Sequence, residues 1–579
     1  MAKIPLGHKA LKGSARELPA KARLVGPVNP EEPVTVTIVL RRRPDGHPIP
    51  DFRRFVEVPL NRRRPLNRAE FAEKYGGHPD EIDQVLSFVR NSGLTIDEAN
   101  AARRTVVASG TVAQVSRAFA VDLQLYEADI PADRGEQAHT ERFRGRQGSV
   151  YLPAQLTDLV VGVFGLDNRS ITRRNMAADP PHTKTLTVPQ VAGLYNFPTN
   201  SATGQTIAIL SFVFSSFGGY ALADIQKYYS VLPPVFTIPA IRDVPVDASN
   251  SAPDIETTQD ICIAATAAPG AGIAVYFTTP GQQGWVDAIQ RVIHPEAGDP
   301  VCSVISCSFY TANGDDSGSL AAAGVTTAWI DAVTLAFQDA AVQGITVCIA
   351  SGDTGADSKV GDGKAHVQYP ASDPWVLACG GTTVGNVNGG SFDEYVWNDT
   401  FTINGSSGSG ATGGGVSAYF GLPAYQLNAN VPKSLNGGGT GRGVPDVAAN
   451  ASWNSGYSPI YCENASAFGY PNPYNGNGTS AAAPLYAGLV ALLNAALGES
   501  VGFLNPTLYA FGNTVVQDID GSSGPNNNSL NGVTGYPAGP GWDACTGLGR
   551  LDGQALLTAI RRMGTYQIAL IATLAGALD

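Results

Sequence analysis

The sequence has no long apolar segment of the kind that enters or crosses a membrane. Residues 1–20 lack the apolar core of a secretory signal. The best apolar candidate, Ile568 to Leu578, has 11 residues, whereas a membrane-spanning helix needs about 20. We therefore expect a soluble protein without a membrane partner.

Histidine is scarce in the long C-terminal part of the chain. The whole sequence contains 7 histidines, and from residue 185 onwards only His294 and His366 remain. Neither lies in a His-Gly-Thr-His-like context. A hydrolytic site of the Ser/His/Asp kind, in which histidine is the general base, is therefore disfavoured.

The 7 cysteines do not form the spacing of a metal site or of a disulfide framework. They are odd in number, scattered from Cys262 to Cys545, and mostly surrounded by apolar residues. We interpret them as core thiols. One disulfide is compatible with the sequence, but the spacing does not say which pair would form it.

Charged residues make up only 15% of the chain, and their signs are unevenly distributed. Residues 1–185 contain 28 Lys and Arg against 22 Asp and Glu, whereas the remainder contains 10 against 28. A basic segment before an acidic body predicts two parts that attract each other. Nucleic-acid binding by the arginine runs 41–43 and 62–64 is the alternative. Because neither run is interleaved with aromatic residues, we expect no nucleic-acid partner.

A chain of 579 residues is too long for one ordinary domain. In the N-terminal part, the apolar pattern alternates between strands and helices within about 130 residues, which is typical of a ferredoxin-like, split βαβ domain. The predicted strands and helices of this part are 34–40, 67–75, 80–89, 105–109, 112–119 and 120–126.

From residue 188 the pattern changes to continuous apolar strands that alternate with helices. This predicts a parallel, doubly wound α/β sheet covered on both faces. The predicted strands are 206–212, 273–277, 301–308 and 345–350, and the predicted helices are 221–232, 253–267, 285–293 and 326–343. Residues 380–480, rich in Gly, Ser and Asn, are interpreted as extended loops rather than core. Residues 169–184 are basic and Pro-rich, which predicts an exposed linker open to proteolysis.

The segment Gly478-Thr479-Ser480 precedes small residues and the apolar run Leu485 to Leu497. It predicts a tight turn that opens a buried helix. Ser480 would then lie beside unpaired N–H groups that favour developing negative charge, a suitable place for an acyl-transfer nucleophile. Since histidine is scarce, its general base would be a carboxylate. The alternative is that Thr479 or Ser480 only caps the helix.

Glu256 and Asp260 lie four residues apart on a predicted helix, so their carboxyl groups share one face. Like charges this close cannot both ionise easily; one pKa rises and a proton is shared. Such a pair can act as a general base in acid, where histidine would already be protonated. The alternative is that these acids only complement the helix dipole.

Asp353 follows a predicted buried strand in Ser351-Gly352-Asp353. Ligands of parallel sheets bind beyond this end of the strands. As a neutral acid, Asp353 could donate a hydrogen bond to an oxyanion, which again favours an acidic working range. An Asx-turn or a metal ligand is the alternative.

In this order, the motifs resemble the sedolisins, or serine-carboxyl peptidases, and most nearly the kumamolisin branch. Further matching segments are Trp397-Asn398-Asp399, Gly414-Gly415-Val416-Ser417 and Gly443-Val444-Pro445-Asp446-Val447-Ala448. The resemblance covers nearly the whole chain and implies a subtilisin-like α/β catalytic domain preceded by a ferredoxin-like propeptide. The implied divisions are a propeptide at 1–168, a linker with the maturation cleavage at 169–185, a peptidase domain at 186–564 and a tail at 565–579.

By this resemblance, Ser480 is the nucleophile, Glu256 its general base and acid, and Asp260 the residue that orients Glu256. Asp353 donates to the oxyanion, together with the backbone N–H of Ser480. The resemblance also implies one structural calcium ion, because two carboxylates and three backbone carbonyls, with water, suit a hard cation. Its ligands would be Asp518, Ile519, Gly539, Gly541 and Asp543.

We therefore expect a secreted, monomeric endopeptidase that acts in acid on proteins and peptides and is made as a zymogen held by its own propeptide. Ser211 and Phe309 stand where certain relatives carry a Glu and a Trp, which puts an outer proton relay in doubt. Gln368 stands where the resemblance to kumamolisins would place an acid that favours basic side chains, so it implies no preference for arginine there. The alternatives are an inactive calcium-bound binding protein on the same fold, and a zymogen whose propeptide acts as a partner module after release.

Overall fold

The computed structural model describes residues 4–58, 65–130, 138–175, 185–214, 217–402, 408–522 and 524–563. The N-terminal part, residues 1–168, contains strands and helices in the following order: β1 His8–Ala10, β2 Arg23–Pro27, β3 Pro33–Leu40, α1 Arg54–Glu57, α2 Arg68–Tyr75, α3 Pro79–Asn91, β4 Thr95–Asn100, β5 Thr105–Thr111, α4 Val112–Ala118, β6 Gln124–Ile130, β7 His139–Gly145, β8 Tyr151–Pro153 and β9 Val160–Phe164.

A four-stranded antiparallel sheet, in the order β4-β5-β3-β9, forms the centre of the N-terminal part. Helices α3 and α4 pack on it. Helix α3 begins with Pro79 at its first turn and buries Ile82, Val85 and Val89 on one face. The connection β3–α3–β4–β5–α4–β9 is the β-α-β-β-α-β arrangement of a split βαβ domain. The predicted ferredoxin-like fold is confirmed.

The C-terminal part, residues 186–564, together with the residues just before it, contains the following elements: β10 Arg173–Arg174, α5 Val188–Leu194, β11 Thr206–Phe212, β12 Phe217–Gly219, α6 Leu222–Ser230, β13 Ile241–Pro245, β14 Ala252–Pro253, α7 Ile255–Ala267, β15 Gly272–Thr278, α8 Gln282–Ile293, β16 Val304–Cys307, β17 Phe309–Tyr310, α9 Ser317–Ala322, α10 Thr327–Val342, β18 Thr346–Ala350, β19 Leu377–Asn388, β20 Ser391–Val396, β21 Gly415–Val416, β22 Gly443–Val444, β23 Val447–Asn450, β24 Tyr457–Ile460, β25 Tyr474–Gly476, α11 Thr479–Leu497, α12 Asn505–Phe511, β26 Val516–Gln517 and β27 Arg550–Leu551.

The main sheet of the C-terminal part runs in the order β13-β15-β11-β16-β18-β19-β20, and β23 also pairs with β19. All pairings are parallel except that of β19 with β20. Helices α7 and α11 cover one face, and α8 and α10 cover the other. Since both faces are buried, the strands are continuously apolar. The predicted doubly wound α/β fold is confirmed.

The interpretation of residues 380–480 as loops outside the core is wrong in part. The first nine residues of β19 are buried in the main sheet, and β23 is fully buried. The glycines of this segment serve close packing. A Cβ on Gly381 would lie 2.5 Å from the ring of Trp397, and one on Gly380 would lie 2.6 Å from Pro445. Glycine content therefore marked tight contacts here, not exposed backbone.

The predicted exposed linker is also corrected. Arg169 and Asn175 are 3% and 2% exposed, and β10 pairs antiparallel with β17 of the C-terminal part. Residues 176–184, the remainder of the predicted linker, lie outside the described residues, as does the predicted tail.

Helix α11 is longer than the apolar segments that were identified in the sequence. It has 19 residues, and an 18-residue window within it has a mean hydropathy of 1.6, so by length and composition it could cross a membrane. However, 83% of that window is buried inside the protein. It packs against α7 and the main sheet. The seven cysteines, all within the described residues, are buried free thiols.

Buried ion pairs join the two parts, as the charge distribution predicted. Arg104 of the N-terminal part lies 2.7 Å from Asp339 of α10, and both side chains are fully buried. Arg42 donates to the same carboxylate at 2.5 Å. Arg103 donates to the backbone carbonyl of His294 at 2.7 Å. The arginine run 41–43 thus pairs with protein carboxylates, whereas the run 62–64 lies outside the described residues.

Candidate active site

Helix α7 carries the two predicted catalytic carboxylates into the interior. All 13 of its residues are buried, and Asp254 caps its start by accepting a hydrogen bond from the backbone N–H of Glu256 at 2.7 Å. Glu256 and Asp260 are four residues apart and share one face of the helix. A capping aspartate immediately before a buried helix therefore fixes the position of Glu256.

Burial, and then the repulsion by Asp260, raise the pKa of Glu256 well above its usual range. Burial also raises the pKa of Asp260, although the Ser308 hydroxyl opposes this by donating to Asp260 Oδ1 at 2.7 Å. Among the described residues, neither carboxylate oxygen of Glu256 has a hydrogen-bond partner. The pair therefore holds a proton where isolated carboxyl groups would have lost theirs.

Ser480 is the second residue of α11, so its backbone N–H belongs to the first turn, where no intrahelical acceptor is available. Its Oγ donates to the carbonyl of Ser308 at 3.5 Å. The Ser480 hydroxyl is close enough to lower the pKa of Glu256, but it makes no hydrogen bond to either carboxylate oxygen. Ser480 and the pair of carboxylates thus lie together around Ser308.

Asp353 lies beside the start of α11, just after the C-terminal end of β18. Its Oδ1 accepts hydrogen bonds from the backbone N–H and the hydroxyl of Thr479, both at 2.8 Å. A Cβ on Gly478 would lie 2.4 Å from Asp353 Oδ2, and Gly478 has a φ of +79°. Only glycine fits this turn without strain. The four predicted catalytic residues therefore meet at one end of the sheet.

The positions of the outer relay hold no carboxylate. The Ser211 hydroxyl donates to the carbonyl of Gly218 at 2.6 Å and lies 2.8 Å from the hydroxyl of Thr257. Phe309 packs edge-on against Phe212, with ring centroids 5.1 Å apart. Besides burial, which is the largest cause, the charge of Asp254 also raises the pKa of both Glu256 and Asp260.

Three residues for which the sequence predicted no part in the catalytic arrangement contribute to it. They are Asp254, Ser308 and Thr479. An aspartate two residues before Glu256, at the predicted start of a helix, was a readable N-cap signal. Ser308 and Thr479 act through contacts between distant segments, for which the sequence offers no local signal.

The chain that leaves the N-terminal part runs into this site. In the pairing of β10 with β17, Arg173 lies opposite Tyr310 and Arg174 opposite Phe309. The next residue, Asn175, donates from Nδ2 to the carbonyl of Ser308 at 3.1 Å, the same carbonyl that the Ser480 hydroxyl contacts. The N-terminal part therefore places its own chain across the candidate active site.

Asp518 and Asp543, two of the five predicted calcium ligands, are brought together by one glycine-rich loop. Asp518 accepts from the backbone N–H of Gly541 at 2.7 Å, and Asp543 from that of Gly539 at 3.3 Å. Burial raises the pKa of Asp543 to about 7 and also raises that of Asp518. Asp518 Oδ1 is buried without a hydrogen-bond partner among the described residues.

No basic residue in the described part of the chain contributes to the pKa of Asp518 or Asp543, and two desolvated carboxylates of this kind fit a hard cation. No group of three or more His, Cys, Asp or Glu side chains suited to a metal occurs in the described part of the chain. The remaining ligands would therefore be backbone carbonyls and water, as predicted for Ile519, Gly539 and Gly541.

Comparisons with known proteins agree with this geometry. The family described as "Pro-kumamolisin, activation domain" matches residues 20–169, and the "Subtilase family" matches residues 248–518. Together with the parallel sheet and the serine at the start of a buried helix, these matches define a subtilisin-like serine peptidase with an activation domain.

Two relatives match over almost the full chain. Kumamolisin from Bacillus sp. (strain MN-32) is 37% identical and covers 96% of each chain, and tripeptidyl-peptidase sed5 from Aspergillus fumigatus is 33% identical and covers 96% of this chain and 97% of its own. The structure of Pseudomonas sedolisin complexed with two molecules of pseudo-iodotyrostatin is similar, with a TM-score of 0.51 and 29% identity over 66% of this chain and 98% of that chain. The chain belongs to the sedolisin family of serine-carboxyl peptidases, as a kumamolisin-like precursor.

Proposed function

We propose that the protein is a secreted, calcium-stabilised endopeptidase that works in acid and matures by cleaving itself. The observation that carries this proposal is the meeting of Ser480 with a buried, proton-sharing pair of carboxylates, Glu256 and Asp260. Family membership makes it a serine peptidase whose own propeptide is a partner and whose substrates are proteins. The catalytic roles, the acidic range, the calcium ion and secretion belong to the proposal.

In the proposed reaction, Ser480 Oγ attacks the peptide carbonyl carbon and its proton passes to Glu256. Glu256 later delivers that proton to the leaving amine. Asp260 orients Glu256 and shares a proton with it. Asp353, in its protonated form, donates to the oxyanion together with the backbone N–H of Ser480. An ionised Asp353 would repel that oxyanion, so the reaction needs acid.

An acidic range follows from the same groups. Glu256 must be able to accept a proton, while Asp353 must keep one. Burial raises the pKa of the Glu256 and Asp260 pair, so the pair can exchange a proton at a pH where exposed carboxyl groups are partly ionised. Hydrolysis of casein at about pH 4 in the presence of pepstatin, compared with Ser480→Ala, tests the proposal.

We assign the maturation cleavage to the peptide bond after Asn175. This assignment is supported by the contact of Asn175 with the Ser308 carbonyl beside Ser480. N-terminal sequencing after incubation at about pH 4 should find a chain that begins at Met176. A stable 579-residue active species would contradict self-processing, as would processing of pure Ser480→Ala protein.

Calcium would be held by the carboxylates of Asp518 and Asp543 and by the carbonyls of Ile519, Gly539 and Gly541. When bound, the ion would neutralise the two carboxylate charges and thereby stabilise the loop that carries them. We place it in a structural role, because the catalytic step uses other residues.

An inactive binding protein remains the alternative from a different class. All four reactive side chains are present and adjacent, which favours an enzyme. Removal of tripeptides from a free N-terminus, the activity in the name of the Aspergillus relative, would be distinguished from endopeptidase action by analysing the products of an N-terminally blocked peptide.

A further inference from the structure

Arg174 occupies a formed pocket of the C-terminal part. Its Nε donates to Asp254 Oδ2 at 2.9 Å, and its Nη2 donates to the same oxygen. The Asp254 side chain is fully buried and that of Arg174 is 8% exposed. The guanidinium also lies over the ring of Phe214, 4.2 Å from its centroid, and 5.4 Å from that of Phe468.

The position of Arg174 relative to Ser480 follows from the strand register. Arg174 lies opposite Phe309, and the next residue, Asn175, contacts the carbonyl of Ser308 beside the Ser480 hydroxyl. Side chains alternate along an extended strand. Arg174 therefore points into the pocket, whereas Arg173 is partly exposed and donates to the carbonyl of Thr172 at 2.9 Å.

The residues that form this pocket remain in the mature protein after the N-terminal part is released. Asp254, Phe214 and Phe468 all belong to the C-terminal part. Asp254 Oδ1 would keep its hydrogen bond from the Glu256 N–H, but Oδ2 would lose the guanidinium. A buried carboxylate beside two aromatic rings is a favourable site for a cation, and a planar guanidinium fits it better than an ammonium group.

We infer that Asp254, with Phe214 and Phe468, selects substrates that carry arginine at the second residue before the cleaved bond. The inference rests on the proposed peptidase function and names its substrate class: peptides with a basic residue, arginine above lysine, one position ahead of the residue that supplies the reacting carbonyl. In the precursor, Arg174 fills the pocket as a substrate residue would.

Peptides derived from the chain itself test this. The mature enzyme is given a quenched fluorescent peptide spanning residues 171–179 and its variants R174K, R174Q, R174E and R173Q, and kcat/KM is measured for each. We expect R174Q to lower kcat/KM at least about tenfold, R174E to lower it further, and R174K to fall between Arg and Gln. The matched control R173Q should change it by less than about threefold, because Arg173 contacts its own chain.

A second measurement separates the pocket from the helix cap. Asp254→Asn keeps an oxygen that can accept from the Glu256 N–H but removes the charge. In the Asp254→Asn enzyme, kcat/KM for the Arg174 peptide should exceed that for the R174Q peptide by less than about threefold. Both values can decrease in this variant, but a disturbed Glu256 would slow all peptides alike and would leave the ratio as it is in the unsubstituted enzyme. Asp243→Asn, at an exposed residue of strand β13, should leave the ratio unchanged.

Equal effects of R174Q and R173Q, or an unchanged ratio in Asp254→Asn, would overturn the inference. Hydrolysis of casein without cleavage of any of these peptides would also overturn it, while leaving the peptidase function in place. Absence of any Ser480-dependent hydrolysis, of casein or peptides, would instead remove the proposed function.

Discussion

At the scale of single residues, the site contains two acidic side chains whose burial is unfavourable by itself. Glu256 and Asp260 are fully buried acids with raised pKa values, and the described residues contain no basic group that neutralises them. Such an arrangement destabilises a protein unless a proton is retained. Its presence beside Ser480 is therefore evidence for chemistry rather than for stability.

Replacing any one of Ser480, Glu256, Asp260 or Asp353 by Ala should lower kcat at least about a hundredfold, or about 2.7 kcal/mol of transition-state stabilisation. Steady-state hydrolysis at acid pH measures this, with the exposed Ser466→Ala as a control. Near-full activity of Glu256→Ala would mean that the carboxylate is not the base. Asp353→Asn should retain some activity and tolerate higher pH, since an amide donates without needing an added proton.

Gly478→Ala should damage both stability and activity. A Cβ there would lie 2.4 Å from Asp353 Oδ2, and the φ of +79° is unfavourable for alanine. We expect a loss of about 1–3 kcal/mol in the free energy of unfolding and a displaced Asp353. Thermal unfolding and kcat at acid pH measure the two effects. Gly421→Ala, at an exposed glycine with open space around it, is the matched control and should change neither.

At the scale of secondary-structure elements, the start of one helix and the cap of another form the site. Gly478 turns the chain so that α11 begins beside Asp353, and Asp254 starts α7 so that Glu256 faces Ser480. The glycine-rich loop around Gly539 and Gly541 plays a comparable part for Asp518 and Asp543. In each case a short turn positions a carboxylate that the regular elements keep buried.

Calcium removal should lower the unfolding temperature of the mature protein, more at neutral than at acid pH. Without the ion, Asp543 has a raised pKa of about 7, so its buried carboxyl group stabilises the fold when protonated and this contribution is lost as pH rises through 7. Differential scanning calorimetry with and without a chelator measures the difference.

In that experiment Asp543→Asn should make unfolding insensitive to the chelator, whereas Asp520→Asn, at an exposed aspartate nearby, should keep the sensitivity. A melting curve at pH 6 that no chelator changes, with no metal found in the purified protein, would remove the site from the proposal.

At the scale of the whole molecule, the interface between the two parts contains groups of opposite pH response. The ring of His294 packs 4.6 Å from Phe71 of the N-terminal part, and burial lowers its pKa to about 3. Asp339 raises that pKa, whereas three arginines of the N-terminal part lower it: Arg104, Arg103 and Arg68. Below about pH 6.5, His294 therefore binds fewer protons when the N-terminal part covers it than after that part is released. The association of the two parts weakens as pH falls from there towards 3.

Asp287 responds in the opposite direction. It accepts from the Thr37 hydroxyl of the N-terminal part at 3.0 Å, and burial, together with the charge of Asp247, raises its pKa to about 7, although Thr37, Arg103 and Gln283 oppose this. A raised pKa in the covered state means that Asp287 favours association at low pH and that this contribution is lost as pH rises through 7. Acid release therefore depends on the balance of the two groups.

We expect His294→Leu to move the midpoint of acid self-processing to lower pH by about half a unit or more, because it removes the cost of charging a buried ring in acid. Asp287→Asn imitates the protonated acid and removes the cost of burying its charge, so it should strengthen the association and also move the midpoint to lower pH. Neither residue belongs to the catalytic group. Appearance of the mature chain on gels across pH 3–7 measures the midpoint, with Ser480→Ala as the control that must stay full length. A shift of either variant to higher pH would contradict this account.

Local patterns in the sequence were sufficient for the elements and for their order. Alternation of apolar residues predicted β3, and helical spacing of apolar residues predicted α3. Continuous apolar runs predicted β11 and β18, because burial on one face or on two leaves a direct pattern. The i, i+4 spacing of Glu256 and Asp260 and the turn before Ser480 were likewise readable from adjacent residues.

Tertiary structure decided what depends on contacts between distant segments. It placed the glycines of β19 in the core, because Trp397 and Pro445 pack against them. It buried Arg174 on Asp254, 80 residues away along the chain, in a stretch whose composition indicated an exposed linker. Composition reports how easily a segment can be solvated, but whether it is solvated depends on which complementary surface the fold brings to it. Here that surface is the candidate active site.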